Sequence, residues 1–278
     1  MAGARNLDER TVAGFGEEWS AFDQAAMRPD EWRRHFEGYF SLFPFDALPP
    51  DAEGFDLGCG SGRWAAGVAQ RVGTLHCIDP SEKALAVARA RLADRANVRF
   101  HCAGADSIPL PDGSQDFGYS LGVLHHIPDT LAAMRCCTAK LKPGAPFLVY
   151  LYYAFDQRPA WYRALWRASE GLRAGISRLP FGLKRRVTDV IAAAVYWPLT
   201  RVALLAERAG ADVRHFPLAP YRNYSFYTMR TDALDRFGTP LEQRFTRDQI
   251  RAMMEEAGLT DIRFRDGEPY WIACGRKR

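Results

Sequence analysis

The stretch Phe55-Asp56-Leu57-Gly58-Cys59-Gly60-Ser61-Gly62-Arg63-Trp64 constrains this chain more than any other. An apolar run ends in glycines at alternate positions, and a helix-forming segment follows. Such a turn carries a strand into a helix. Its backbone can approach a nucleotide-like ligand closely, because Gly58, Gly60 and Gly62 have no side chains in the way. The spacing is not the G-x-G-x-x-G of a dinucleotide site, where a pyrophosphate rests on the helix N-terminus. Here Asp56 stands at the mouth of the loop. It would repel two phosphates and attract an ammonium.

Two further acids follow the same rhythm. The run Leu75-His76-Cys77-Ile78-Asp79 reads as a second strand ending in an acid, 17 residues beyond Gly62. That is a suitable distance for a carboxylate that holds ribose hydroxyls after one helix. Asp106, in Gly104-Ala105-Asp106, follows a third strand at 98–101. Three acids, each just past a strand, would line the carboxyl edge of a parallel sheet, where such sheets bind ligands.

The ordered set D-x-G-C-G-S-G at 56–62, I-D-P-S at 78–81, S-L-G-V-L-H-H-I-P-D at 120–129 and L-K-P-G-A at 141–145 resembles the class I S-adenosylmethionine-dependent methyltransferases. The last two motifs resemble the subgroup with ubiquinone- and menaquinone-type and natural-product methyltransferases. The likeness is dense over 50–151 and looser over 242–276. It implies a Rossmann-like, seven-stranded, mostly parallel α/β sheet in the order 3-2-1-4-5-7-6, and S-adenosyl-L-methionine as cofactor. A nicotinamide dehydrogenase is the rival reading of the loop.

The pattern along the chain agrees with βαβ units. Strands are expected at 53–57, 74–78, 97–103, 116–121 and 146–152, with helices at 63–71, 81–95 and 130–141, Ser81 serving as an N-cap. Residues 1–50 form an aromatic helical lead-in. Trp32, Phe36, Tyr39, Phe40 and Phe43 recur at helical spacing and suit packing on the core; Phe15, Trp19 or Phe22 suit a lid. The methyltransferase domain then takes 51–152 and 241–278, the latter as a helix at 246–257 and an antiparallel hairpin at 260–265 and 270–275. Between them, 153–240 is a helical insertion, with helices at 159–177, 183–196 and 198–210 punctuated by Pro180, Pro198, Pro217 and Pro220. Residues 158–214 hold 11 Lys/Arg and 4 Asp/Glu, a net +7, in a chain of net +4. The basic charge is segregated onto the insertion, which is expected to cap an acceptor pocket.

The start of the chain shows no signal-peptide pattern, and no run of about 18 uncharged apolar residues occurs. A cytoplasmic protein without a membrane span is expected. The cysteines at 59, 77, 102, 136, 137 and 274 have no disulfide or zinc spacing; Cys59, Cys77 and Cys102 read as small buried hydrophobes. No metal is expected.

Methyl transfer from a sulfonium needs positioning and, for a protonated nucleophile, a base. No nucleophile elbow G-x-S-x-G is present. Asp56 and the backbone of Gly58, Cys59 and Gly60 are assigned to the amino acid end of the cofactor. Arg63 is a candidate for its carboxylate and equally for a surface position. Asp79 is assigned to the ribose. The resemblance adds Asp106 for the adenine amino group, with Ala105 beside it, and Leu121 near the methionine part. His125 and His126 follow strand four; either is a candidate general base, with packing as the alternative and His125 slightly ahead. On the acceptor side stand Tyr152, Tyr153 and the cluster with Tyr221, Tyr224 and Tyr227, whose alternative role is packing of the insertion. The acceptor is expected to be a small organic molecule, anionic or lipid-like, with peripheral membrane contact open. RNA is disfavoured for want of a recognisable module. An RNA or protein acceptor, or a noncatalytic cofactor-binding protein, is the alternative. Oligomeric state is not readable.

Overall fold

The computed structural model describes residues 6–156, 158–267 and 271–278. Helices follow in the order α1 (Glu9–Ala21), α2 (Pro29–Tyr39), α3 (Ala65–Val68), α4 (Glu82–Arg91), α5 (Thr130–Lys140), α6 (Ala160–Ile176), α7 (Phe181–Ile191), α8 (Trp197–Arg208), α9 (Phe226–Gly238) and α10 (Arg247–Glu256). The strands are β1 (Glu53–Leu57), β2 (Thr74–Asp79), β3 (Val98–Cys102), β4 (Phe117–Leu121), β5 (Pro146–Tyr150), β6 (Leu259–Phe264) and β7 (Ile272–Lys277). Two compact units result. One holds the described residues up to Gln24 with Arg34–Ala154 and Leu241–Arg278; the other holds Ala25–Arg33 and Phe155–Pro240.

The first unit is built on one seven-stranded sheet of order β3-β2-β1-β4-β5-β7-β6. Strands β1 to β5 pair in parallel, and β7 runs antiparallel to both β5 and β6. The expected order and the closing hairpin are both present; Tyr270, the expected start of the last strand, lies outside the described residues. One face packs Phe55, Leu57, Phe147 and Val149 on Met134 of α5 and on Ile250 and Met254 of α10. The other face carries Phe117 and Tyr119 against Phe40 and Phe43. Burying each such ring contributes about 1.5–3 kcal/mol. Gly54 and Gly118 let these rings in. A Cβ on Gly54 would overlap the ring of Phe117, and one on Gly118 the ring of Phe55, the residues that face them in the β1–β4 register.

Ser81 caps α4, accepting from Ala84 N at 3.4 Å. The helix expected at 63–71 shrinks to the single turn α3. Asn97 Nδ2 donates to the carbonyls of Ala69 (2.9 Å) and Val72 (3.0 Å) and so ends the turn. Cys59 and Cys77 are buried as expected, but Cys102 is exposed at the end of β3, where the sheet edge gives it no cover.

In the second unit α9 is the central element; α6, α7 and the turn after α7 pack on it. Its core is small: Ala192, Tyr196, Met229, Ala233 and Phe237. Buried charge does much of the fastening. Glu31 accepts from Thr228 Oγ1 (2.6 Å) and Ser225 N (3.2 Å) at the start of α9. Lys184 Nζ donates to Gly238 O (2.9 Å) at its end, where helix carbonyls lack partners. The expected break between 196 and 198 is absent: Phe181–Arg208 is one 28-residue helix. Pro198 cannot donate to the preceding turn, and the backbone widens to π geometry over Ala192–Tyr196 just before it. By length and composition alone this helix could cross a membrane, a feature that the separate short helices read from the sequence did not show.

Candidate functional site

The glycine loop closes over the end of β2. Gly58 N and Cys59 N both donate to Ile78 O, at 2.7 and 3.2 Å. Gly58, Gly60 and Gly62 all have left-handed φ, of 77°, 54° and 71°, which a side chain would strain. Asp79 holds the loop in place: its Oδ2 accepts from Gly60 N (3.0 Å) and its Oδ1 from Ser81 N (2.8 Å). Each oxygen keeps a further lone pair for a ligand hydroxyl.

Asp56, at the end of β1, is 3% exposed. Burial pushes its carboxyl up to about 8; Tyr119, whose hydroxyl falls short of a full hydrogen bond, offsets this in part, and Asp79 adds repulsion. Burial likewise raises Asp79 to about 6, against the two amide bonds. Two buried acids that resist ionisation beside a glycine loop suit a ligand that brings positive charge and hydroxyls.

Arg63 stacks on Trp64 at 4.4 Å and on Trp19 at 5.5 Å, and donates to Gln24 Oε1 at 3.2 Å. Trp19 itself lies over the loop: a Cβ on Gly60 would stand 2.9 Å from its indole nitrogen. Asp106 is exposed beside buried Ala105, and its Oδ2 accepts from Asn6 N at 3.0 Å. The Asn6 side chain also bonds both the amide and the carbonyl of Asp129, each at 2.8 Å. Leu121 ends β4, half-buried.

Aromatic groups link these parts into a closed circuit. Phe15 neighbours Trp19 (6.4 Å between centroids) and His126 (5.0 Å). His126 meets His125 (4.0 Å), which stacks on Tyr152 (3.9 Å). Tyr152 meets Tyr150 (5.8 Å), Tyr150 meets Tyr39 (5.1 Å), and Tyr39 meets Trp64 (5.3 Å). Arg63, between Trp64 and Trp19, completes the circuit.

The two histidines differ. His125 is fully buried, and neither ring nitrogen has a partner among the described residues. Burial holds it well below its ordinary value, with His126 and Arg244 adding to the effect, so it is neutral. His126 Nδ1 lies 2.7 Å from Leu241 O. A carbonyl only accepts, so Nδ1 carries a proton, and in the neutral ring Nε2 presents a lone pair. That Nε2 is buried and has no partner among the described residues. Gln243 fixes the turn, its N donating to His125 O (3.0 Å) and its Nε2 to Ile127 O (2.7 Å).

Not every expected residue joins the site. Tyr153, one position on from Tyr152, points the other way and meets Trp271 at 6.4 Å in the core. Tyr221, Tyr224 and Tyr227 belong to the helical unit. Tyr221 packs on Tyr196 (5.6 Å) and on Tyr224 (5.9 Å) within that unit. Trp64 and Tyr150 were not among the expected site residues, and Tyr39 was expected only to pack on the core. Tyr150-x-Tyr152, at strand period, was the available signal. A surface cleft of about 500 Å³ lies elsewhere, along β6 between Arg251, Asp261, Arg263 and Arg278, and holds none of these groups.

Residues 55–149 match the methyltransferase-domain family. A ubiquinone biosynthesis O-methyltransferase of Methylocella silvestris is 29% identical over 166 residues, 51% of this chain and 63% of that protein. Phosphoethanolamine N-methyltransferase 2 of Caenorhabditis elegans is 32% identical over 39% of this chain and 25% of its own length. The chain thus spans less than two thirds of these relatives. Among solved structures, an S-adenosylmethionine-dependent methyltransferase of Aquifex aeolicus superposes with a TM-score of 0.51 at 13% identity, over 92% of this chain and 96% of that one. Phosphoethanolamine N-methyltransferase 2 of Haemonchus contortus, in complex with S-adenosylhomocysteine, gives 0.51 at 18% identity, over 93% and 44%. These likenesses concern the fold.

Proposed function

We propose, from the premise that residues 55–149 are a class I S-adenosylmethionine-dependent methyltransferase domain, that the chain transfers a methyl group from S-adenosyl-L-methionine to a small organic acceptor. The observation that carries this reading is the pair of buried acids, Asp56 and Asp79, set around a left-handed glycine loop. The cofactor supplies an activated methyl group and leaves as a neutral sulfide. Asp56 is placed to balance the ammonium of its amino acid end, beside the backbone of Gly58, Cys59 and Gly60. Asp79 accepts the ribose hydroxyls. Asp106 and Ala105 meet the adenine, and Leu121 borders the methionine part. Arg63 is held by two indoles and serves the loop as a stacked cation.

The aromatic circuit limits water access around these groups and offers ring faces to a sulfonium. Of the two histidines, His126 is the better general base. Its tautomer is set by Leu241, and its Nε2 is the atom that would receive the acceptor's proton. His125 supports it by packing between His126 and Tyr152. The small-molecule acceptor is in keeping with the relatives, whose names concern ubiquinone biosynthesis and phosphoethanolamine.

Calorimetry should show S-adenosylhomocysteine binding and no binding of NAD; preference for NAD sinks the reading. With labelled cofactor and a metabolite extract, label should enter a small molecule. On that acceptor His126→Gln should lower kcat by about 100-fold or more, with cofactor affinity intact. Label found only on RNA or protein would sink the small-acceptor part.

A further inference from the structure

Every large hydrophobic side chain that stands exposed among the described residues lies on the helical unit. On α6 these are Trp161, Leu165 and Leu172, at 53%, 53% and 61% exposure, spaced four and seven apart along one face. Along Phe181–Arg208 they include Val190 (64%), Trp197 (42%) and Leu205 (63%). The opposite side of that long helix is spent on the core, through Ala192, Tyr196 and Ala203. The outer stripes are therefore not core residues waiting for a place inside this unit. Each such side chain would gain from an apolar cover.

Charge says what the cover is. The acids of residues 158–214 are all engaged by arginines of the same unit: Glu170 by Arg173 and Arg236, Asp189 by Arg230, Glu207 by Arg222 and Asp212 by Arg214. Meanwhile Arg167, Arg186 and Arg208 are exposed and meet no carboxylate among the described residues. Arg186 is four residues before Val190, and Arg208 three after Leu205, so arginines bracket the apolar stripe. A second copy of the same face would bring arginines to arginines with no acid to receive them. A nucleic acid would neutralise the arginines but leave valine, leucine and tryptophan uncovered. A surface that is anionic outside and apolar beneath satisfies both.

We propose that the outer faces of α6 and of Phe181–Arg208 dock on an anionic lipid bilayer, lying in its interface. The long helix lies on the surface rather than across it, because its inner side is fastened to α9 by Lys184, by Asp189 with Arg230, and by the Met229–Phe237 cluster. Tryptophans at 161 and 197 sit at the depth where indoles are favoured, and the arginines reach lipid phosphates. This docking does not rest on the transferase reading.

The test is co-sedimentation of the full chain with vesicles, either phosphatidylcholine alone or phosphatidylcholine with phosphatidylglycerol. Binding should be at least about tenfold stronger with phosphatidylglycerol and should weaken with salt. Trp197→Glu with Leu205→Glu should abolish it. Arg186→Gln with Arg208→Gln should remove the preference for phosphatidylglycerol and leave weak binding to both. All variants should keep the wild-type circular dichroism and S-adenosylhomocysteine affinity, which reports separately on the cofactor site. Absence of wild-type binding to phosphatidylglycerol vesicles overturns the proposal. So does a dimer in sedimentation velocity that the Glu variants dissociate, or polyuridylate binding in place of vesicle binding.

Discussion

The sheet unit and the helical unit solve the problem of stability in opposite ways. The largest fully buried side chains, led by Trp271, Tyr119, Phe55, Phe117 and Phe147, all belong to the sheet unit. Among the described residues, the exposed large hydrophobics all belong to the helical unit. One spends its apolar residues on a deep core and can therefore hold buried acids, left-handed glycines and unpartnered imidazole nitrogens at its carboxyl edge. The other has thin cores and is tied by arginine–carboxylate pairs, each worth no more than about 1 kcal/mol where exposed. Its apolar residues are spent on its surface. The two proposals place chemistry and attachment on different units, and predict that each can be disturbed alone.

The largest effect expected from breaking that division is at Asp79. Asp79→Ala removes the acceptor of ligand hydroxyls and releases the Gly60 amide. Affinity for S-adenosylhomocysteine should fall by about 100-fold, in line with two charge-assisted hydrogen bonds. Glu31→Ala removes an equally buried carboxylate from the helical unit. It should lower that unit's stability through Ser225 and Thr228 and leave cofactor affinity within a factor of about two. Calorimetry on both variants decides. Equal losses of affinity would show that the units are not separable in this sense.

The same division explains what could be read from the sequence. In the sheet unit, local signals agree with tertiary packing. Alternate glycines after an apolar run place the loop, acids after strands mark its edge, and Ser81 starts a helix where capping chemistry predicts. The strand order came from the resemblance and stands. Tyr152 and Tyr153 show the limit: both looked suitable for a pocket, but strand alternation sends Tyr153 to Trp271. The tautomer of His126 was out of reach, since it depends on the carbonyl of Leu241, 115 residues away. So was the aromatic circuit, whose members come from five separate stretches. In the helical unit one proline misled, while Pro180 stands at the start of α7 as expected. Pro198 reads as a break, yet a π turn carries the helix through it.

Alanine in place of glycine should have opposite signs in the two units. At Gly118 an added Cβ overlaps the ring of Phe55 in a strand that is buried on both faces. Gly118→Ala should cost about 1–3 kcal/mol through overpacking. At Gly171, within α6, nothing lies within 4 Å of an added Cβ. Gly171→Ala should stabilise by about 0.5–1 kcal/mol through helix propensity. Denaturant melts followed by tryptophan fluorescence and by circular dichroism measure both. A destabilising Gly171→Ala would mean that this helix face is already covered.

The effect of pH is graded, at no more than about 1.4 kcal/mol per unit for one proton. The two buried acids at the glycine loop are raised, Asp56 to about 8 and Asp79 to about 6, whereas Glu170 and Glu207 of the helical unit are lowered by arginines and Asp212 is lowered to about 2. For Asp56 the folded state holds its proton more tightly than the unfolded chain, so its contribution is present at low pH and lost as pH rises through about 8. Stability of the ligand-free sheet unit should thus increase as pH falls from 8 to about 6.5. Below 6.5 the gain stops, because His35, lowered to about 3, and His125, also lowered, are buried neutral and take up protons only on unfolding. The helical unit's acids have the reverse sign and matter only near and below about pH 4, the ordinary carboxylate range. Its stability should be flat across the same window. A cationic ligand inverts the first trend: it needs Asp56 ionised, so affinity for S-adenosylmethionine should rise by up to tenfold per unit toward pH 8, with one proton released on binding. Peptide-level hydrogen exchange, corrected for the intrinsic rate, separates the units, and calorimetry in two buffers counts the proton. Asp56→Asn should flatten both trends together; if either persists, the ionisation belongs to another group.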